Sequence, residues 1–135
     1  MELKKIILHY LDGRIERAYA PLFEEGCDPV PTVDLQGSPE MVPLKRLKAA
    51  FFVRSFTGNP AYDRPSSPEE WEAGNGRNLV GVLFHDGETI FGELRPGADV
   101  ARGFYLTVPD EQDNNLLIYV NPASLLAPPR EPEAC

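Results

Sequence analysis

The chain is short of several things, and each shortage narrows what it can be. Cysteine occurs twice in 135 residues. Cys27 sits in an acid- and proline-rich stretch and Cys135 is the last residue, with no CxxC partner and no metal-ligand spacing. That pattern reads as two free thiols rather than a disulfide framework or a zinc knot. No apolar run approaches the roughly 18 residues that a membrane-spanning helix needs. The opening MELKKIILHYLDG has lysines before apolar residues, as a signal peptide does. His9 and Asp12 interrupt the run and no small-residue cleavage site follows, so it reads as a strand of a cytoplasmic protein.

Lysine is absent after Lys48. Residues 1–60 balance eight cations against eight acids, whereas residues 61–135 set five arginines against thirteen acids, so the whole net charge of −8 belongs to the second half. Nucleic acids and anionic membranes are disfavoured partners for such a chain, because both are held by neutralising their phosphates.

Catalytic signatures are missing as well. There is no GxSxG, no HExxH and no phosphate loop ending in GK[ST]. The two histidines, His9 and His85, stand near equivalent places on two similar strands, yet a metal site asks for further thiols or carboxylates in reach. Half-buried strand histidines are the simpler reading. Cys27 lacks a recognisable His/Asn context, and the acids of EEWE suit a helix start. No catalytic residue, no cofactor and no metal is expected, and the chain reads as non-enzymatic.

What is present is strand and turn. Fourteen prolines, about twice average usage, fall between short apolar runs and oppose long helices. In KKIILHYLDG, Ile6, Leu8 and Tyr10 share one face and Ile7, His9 and Leu11 the other, followed by the hairpin signal Asp12-Gly13. NLVGVLFHDG repeats that pattern, and further strands repeat in order at a shift of about 75 to 78 residues. Val42 and Leu47 then fall on Val120 and Leu125. Pro43 opens a tight turn, and the last strand of the first half is expected over 47–56. The expectation is an all-β chain of two internally repeated small SH3-like or Sm-like barrels in tandem, or one pseudo-symmetric β-sandwich. The boundaries are 1–57 for the first repeat, 58–78 for a linker, 79–127 for the second repeat and 128–135 for a disordered tail. Within the linker, Ser67, Pro68 and Glu70 predict a short helix stopped by Gly74, with Trp71 as its docking residue.

The stretches LKAAFFVRSFTGNPAYD, GVLFHDGETIFGEL, GFYLTVP and NNLLIYVNPASL resemble a bacterial domain family known only as uncharacterised. The resemblance covers about residues 47–126 and implies a cytoplasmic module of unknown function without recognised catalytic residues. The bent strands and Asp-Gly hairpins are also similar to Sm-like RNA-binding barrels.

Two sets of residues are candidates for binding. Arg54 and Asn59, in the segment that carries the resemblance, and Tyr62 and Trp71 of the linker suit a protein partner reached through a sheet edge or a linker groove. The alternative is a nucleic-acid or nucleotide site at Lys45, Arg46 and Lys48, with Lys4, Lys5 and Arg54 nearby and Phe51, Phe52 and Phe56 interleaved. Strand alternation predicts Phe52, Arg54 and Phe56 on one face. A protein partner is the preferred reading, with the chain a monomer or homodimer.

Overall fold

The computed structural model describes residues 3–23, 28–57, 79–94, 100–108 and 114–126. Its strands are β1 (Lys4–Tyr10), β2 (Ile15–Ala20), β3 (Val30–Asp34), β4 (Pro39–Val42), β5 (Leu47–Val53), β6 (Leu79–Leu83), β7 (Thr89–Leu94), β8 (Phe104–Thr107) and β9 (Asn115–Val120). Two 3-10 turns, Leu44–Arg46 and Pro122–Ser124, follow β4 and β9. The chain is all-β, as its alternation predicted. The linker 58–78 with its expected helix, Asn59, Tyr62 and Trp71, the tail and both cysteines lie outside the described residues.

All nine strands form one antiparallel sheet in the order β4-β3-β2-β1-β5-β9-β8-β7-β6. The expected halves are therefore joined by a ladder, in which Ala49 to Val53 of β5 pair with Asn115 to Val120 of β9. Such a sheet has two faces, and here each face of the central pair has its own core. Ala50 and Phe52 pack with Ile6, Leu8 and Val30 of the first half, while Ala49, Phe51 and Val53 pack with Val82, Phe84 and Leu106 of the second. β9 does the reverse, sending Leu117 and Tyr119 to the first core and Ile118 and Val120 to the second. A flat sheet cannot bury both faces of its middle, so the two halves curl to opposite sides.

The near-continuous apolar run LKAAFFV follows from that position, since a strand buried on both faces has no polar side. Alternation fails at one point. His9 pairs with Ala49 but Tyr10 with Leu47, so Lys48 is an extra residue in β5. This bulge puts Lys48 and Ala49 on the same side, toward the second core, and turns Leu47 to the first.

β5 ends at Val53, three residues earlier than the sequence predicts. Asn114 ends it: its Oδ1 accepts from Ser55 N at 3.0 Å and its Nδ2 donates to the Ser55 carbonyl at 2.9 Å. Because the strand stops, Phe56 does not share a face with Phe52. Phe52 lies in the first core, whereas Phe56 packs against the second and meets Tyr19 edge-on at 5.5 Å.

The two halves also carry matching turns. Gly13 and Gly87, both at positive φ, donate to the carbonyls of Tyr10 and Phe84, and the amides of Tyr10 and Phe84 donate to Arg14 and Glu88. Leu11 N donates to the Arg46 carbonyl and His85 N to the Ser124 carbonyl, each hairpin thereby holding one 3-10 turn.

A tyrosine latches the first core to the second half. The Tyr105 hydroxyl on β8 accepts from Phe23 N at 2.8 Å and donates to the Phe23 carbonyl at 3.0 Å. It stands in an aromatic cluster with Phe23, Phe52 and Tyr119. Tyr105→Phe strands both backbone groups and is expected to cost roughly 1–3 kcal/mol, with the strand content of the sheet unchanged; thermal unfolding followed by circular dichroism reads the loss.

Candidate functional site

The turns of β1–β2 and β6–β7 lie side by side and enclose a cleft of about 490 Å³ lined by His9, Arg14, Lys48, Phe84, His85 and Glu88 among others. In the first turn the Asp12 carboxylate caps Arg14 N at 3.0 Å and also takes the Arg14 guanidinium at 3.0 Å. The Arg14 backbone amide, more than its charge, holds the Asp12 carboxyl below the usual range. The second turn has Glu88 where the first has Arg14, so Asp86 and Glu88 bring two like charges together. Lys48 resolves the repulsion from the other half of the chain. Its ammonium lies 2.7 Å from Asp86 and 2.6 Å from Glu88, and 4.6 Å from the Phe84 ring centre.

Burial pulls the Lys48 pKa down, but hydrogen bonds and charges from Asp86 and Glu88 outweigh it and hold it above the ordinary lysine value. The hydrogen bond from Lys48 is in turn the largest cause of a lowered Asp86 pKa. His9 stacks on Phe51 at 4.5 Å, and burial lowers its pKa against the pull of Glu88. His85, by contrast, is exposed. Both histidines line the cleft, yet among the described residues no group of three or more His, Cys, Asp or Glu is placed to hold a metal ion. The cleft is a clasp: its cations are committed to its own acids.

The basic cluster is accordingly divided. Lys45 and Arg46 are exposed on the first 3-10 turn, while the Lys48 side chain is only 12% exposed and doubly paired. Arg54 is exposed just past the end of β5, and its carbonyl accepts from the Lys5 ammonium at 3.5 Å.

Sequence reasoning missed the feature that stands out in the structure, the outer face of the first half. Even-numbered residues of β1–β4 face the first core: Ile6, Leu8, Ala18, Ala20, Val30 and Val42 are buried. Odd-numbered residues face away. Tyr19 pairs with Lys5 on one side and with Val33 on the other, and Val33 pairs with Pro39; Arg17 lies across from Ile7, and Met41 from Pro31. Ile7 and His9 are covered by the second half and Tyr19 is met by Phe56, but beyond them no described residue packs over the face. Ile15 is 64% exposed and Met41 58%, with Leu3 (47%) and Leu35 (51%) at its margins. A shallow groove of about 570 Å³ borders it near the β2 end, lined by Ile15, Arg17, Leu35 and Gln36 and also by the acids Glu16 and Asp34.

No acid stands among the outward residues of these four strands. Their acids, Glu16, Asp34 and Glu40, alternate onto the opposite side. Asp34 is spent on its own turn, accepting from Gln36 N and Ser38 N at 2.9 Å each. Burial, and then the Glu40 charge, push the Glu16 pKa up, and one Glu16 carboxylate oxygen is buried without a hydrogen-bond partner. Tyr10 beside it is pushed up to about 12 by burial and by the same two acids. β4 is the last strand of the sheet, and among the described residues no strand pairs with its outer edge. The signal in the sequence was the parity of the acids along β1–β4, which becomes visible only once the register of all four strands is known.

Fold and surface together define a small all-β protein with one open, curled sheet whose outward positions on β1–β4 carry apolar residues and cations but no acid. The chain belongs to a family of unknown function, DUF6982, which matches residues 2–127. That span is wider than the stretch on which the sequence resemblance rested. No curated protein and no solved structure matches the chain. Among the described residues no helix is long and apolar enough to cross a membrane.

Two substitutions test the electrostatics with opposite signs. Lys48→Met leaves Asp86 and Glu88 unneutralised; since both are half-exposed the cost is held to roughly 1 kcal/mol. A lowered Asp86 pKa stabilises above its unfolded value, and a raised Lys48 pKa stabilises below its own. The loss should therefore be full between about pH 4 and pH 10 and should fade as acid protonates Asp86. Glu16→Gln removes a carboxylate whose charged form is disfavoured by folding, so it should raise the melting temperature at pH 7 by about 2–4 °C and have no effect once the wild-type Glu16 is protonated. Melting curves at pH 3 and pH 7 check both.

Proposed function

We propose that this chain is a non-enzymatic interaction module that binds a protein partner, and that the partner docks on the outer face of β1–β4. The observation that carries the reading is the open apolar face itself. Large exposed apolar patches on small soluble domains mark interaction surfaces far more often than they are left bare. Ile15 of β2, Leu35 of the turn after β3 and Met41 of β4 are exposed on this side, with Pro31 and Val33 between the last two, and among the described residues the outer edge of β4 is unpaired beside them. Arg54, one of the residues the sequence offered for a protein partner, adjoins it through Lys5.

We read the two halves as products of a duplication, each an SH3-like unit of about five strands in a cytoplasmic bacterial protein. Matching turn hydrogen bonds, and a Phe84–Leu125 bridge standing where Tyr10 pairs with Leu47, support that reading. The rival reading, a nucleotide or nucleic acid held by Lys45, Arg46 and Lys48, is weakened by the commitment of Lys48 to two acids.

The test is site-specific photo-cross-linking in the cells the chain comes from. A photoreactive residue replaces Met41 on the face or, as a control, Leu116 of β9. The expected result is a discrete protein adduct from position 41, competed by unlabelled chain and absent from position 116. Adducts at neither position, or equally at both, overturn the proposal.

A further inference from the structure

Resting on the reading of this face as a docking surface, we infer that its occupant is an extended, acidic and apolar polypeptide segment of a partner protein, with two carboxylates spaced two residues apart. The charge pattern points there. The strands turn only two charged side chains outward on the open part of the face, Lys5 and Arg17, both exposed and both cationic. Neither is paired with an acid among the described residues. In a chain of net charge −8, outward strand positions that carry two cations and no acid are a local reversal of sign, bounded by Glu16 and Asp34 in the groove beside Arg17, and they select partners of the opposite sign.

Spacing adds to this. Lys5 lies opposite Tyr19 and Arg17 opposite Ile7, so the two cations are diagonal neighbours on adjacent strands, about 7–8 Å apart at the backbone. Residues i and i+2 of an extended chain are separated by about 6.6–6.8 Å and point to the same side. Two acids at that spacing, on a segment running along β1 and β2, can meet Lys5 and Arg17 together, and the next same-side residue reaches Ile15, two residues before Arg17 on β2. Other occupants fit less well. A second copy docking through the same face would set Lys5 and Arg17 against their own kind. A nucleic acid would gain two phosphate contacts on this face of a chain whose net charge is −8.

The test uses the full chain, labelled with nitrogen-15, and two synthetic peptides. One is the acetylated octapeptide Glu-Thr-Glu-Thr-Val-Thr-Val-Thr, and the other has Lys in place of both Glu. Amide shifts of Ile15, Arg17 and Tyr19 should follow the acidic peptide, which should bind at least about tenfold more tightly than the Lys peptide and weaken with added salt. Lys5→Glu/Arg17→Glu should reverse the preference. Lys5→Gln/Arg17→Gln should abolish it, and a dispersed amide spectrum verifies that each variant is folded. Equal affinity for both peptides, shifts confined to other residues, or no binding of either peptide overturns the inference. So does binding that appears only after residues 58–78 are deleted, since the face would then belong to this chain's own segment. If the Met41 adduct forms in cells while the peptides show no charge preference, only the acidic character of the partner is lost. Absence of the adduct removes the docking surface as well.

Discussion

The bulge at Lys48 is the constraint on which the rest of the structure turns. Without an extra residue there, β5 would keep strict alternation and Leu47 could not face the first core while Ala49 faces the second. The second half secures the irregularity. Lys48's carbonyl accepts from Asn121 N at 3.2 Å and lies 3.0 Å from the Ser124 hydroxyl, while Asn121 Nδ2 donates to the Leu47 carbonyl at 2.8 Å. Its ammonium, meanwhile, is taken by Asp86 and Glu88. One residue of the first half is thus held at both ends by the second.

Two cores that share one central strand pair cannot be independent. Each half contains about 50 residues and lies near the lower limit for burying a core alone. β5 supplies Ala49, Phe51 and Val53 to a second core whose own return strand is reduced to the single bridge between Phe84 and Leu125. β9 repays this with Leu117 and Tyr119, and Tyr105 fastens the Phe23 segment from the same side. Close packing at this seam is shown by Gly103: a Cβ there would collide with the Tyr119 hydroxyl. The cleft between the hairpins belongs to the same seam, which explains why its charges are paired inward.

Within β1–β4 charge is sorted by face. Along β2–β4 the acids occupy inward positions at the mouth of the first core, where burial and mutual repulsion raise the Glu16 pKa. The cations Lys5 and Arg17 stand outward on an apolar floor. An arrangement that costs stability inside and leaves apolar area bare outside is poor economy for a domain that only has to fold, and it is the physical basis for reading the outer face as a surface made to be covered.

Much of the fold was legible in the chain itself. Alternation in KKIILHY, the two Asp-Gly turns and the turn after Pro43 all rest on local chemistry, and the structure carries each of them. The all-β class followed, and so did the burial of Ile6, Leu8 and Tyr10. What local chemistry could not decide was partnership. Whether the two halves stand apart or pair through β5 and β9, where β5 ends, and which side Phe56 joins depend on Asn114, Asn121 and Ser124 reaching across some 60 to 75 residues of chain. Lys48 looked like part of a basic cluster because neighbours in sequence are all that a sequence displays, and Asp86 and Glu88 claim it only after folding. The open face was hidden for the same reason: parity within one strand is local, but a shared face across four strands exists only when their register is set.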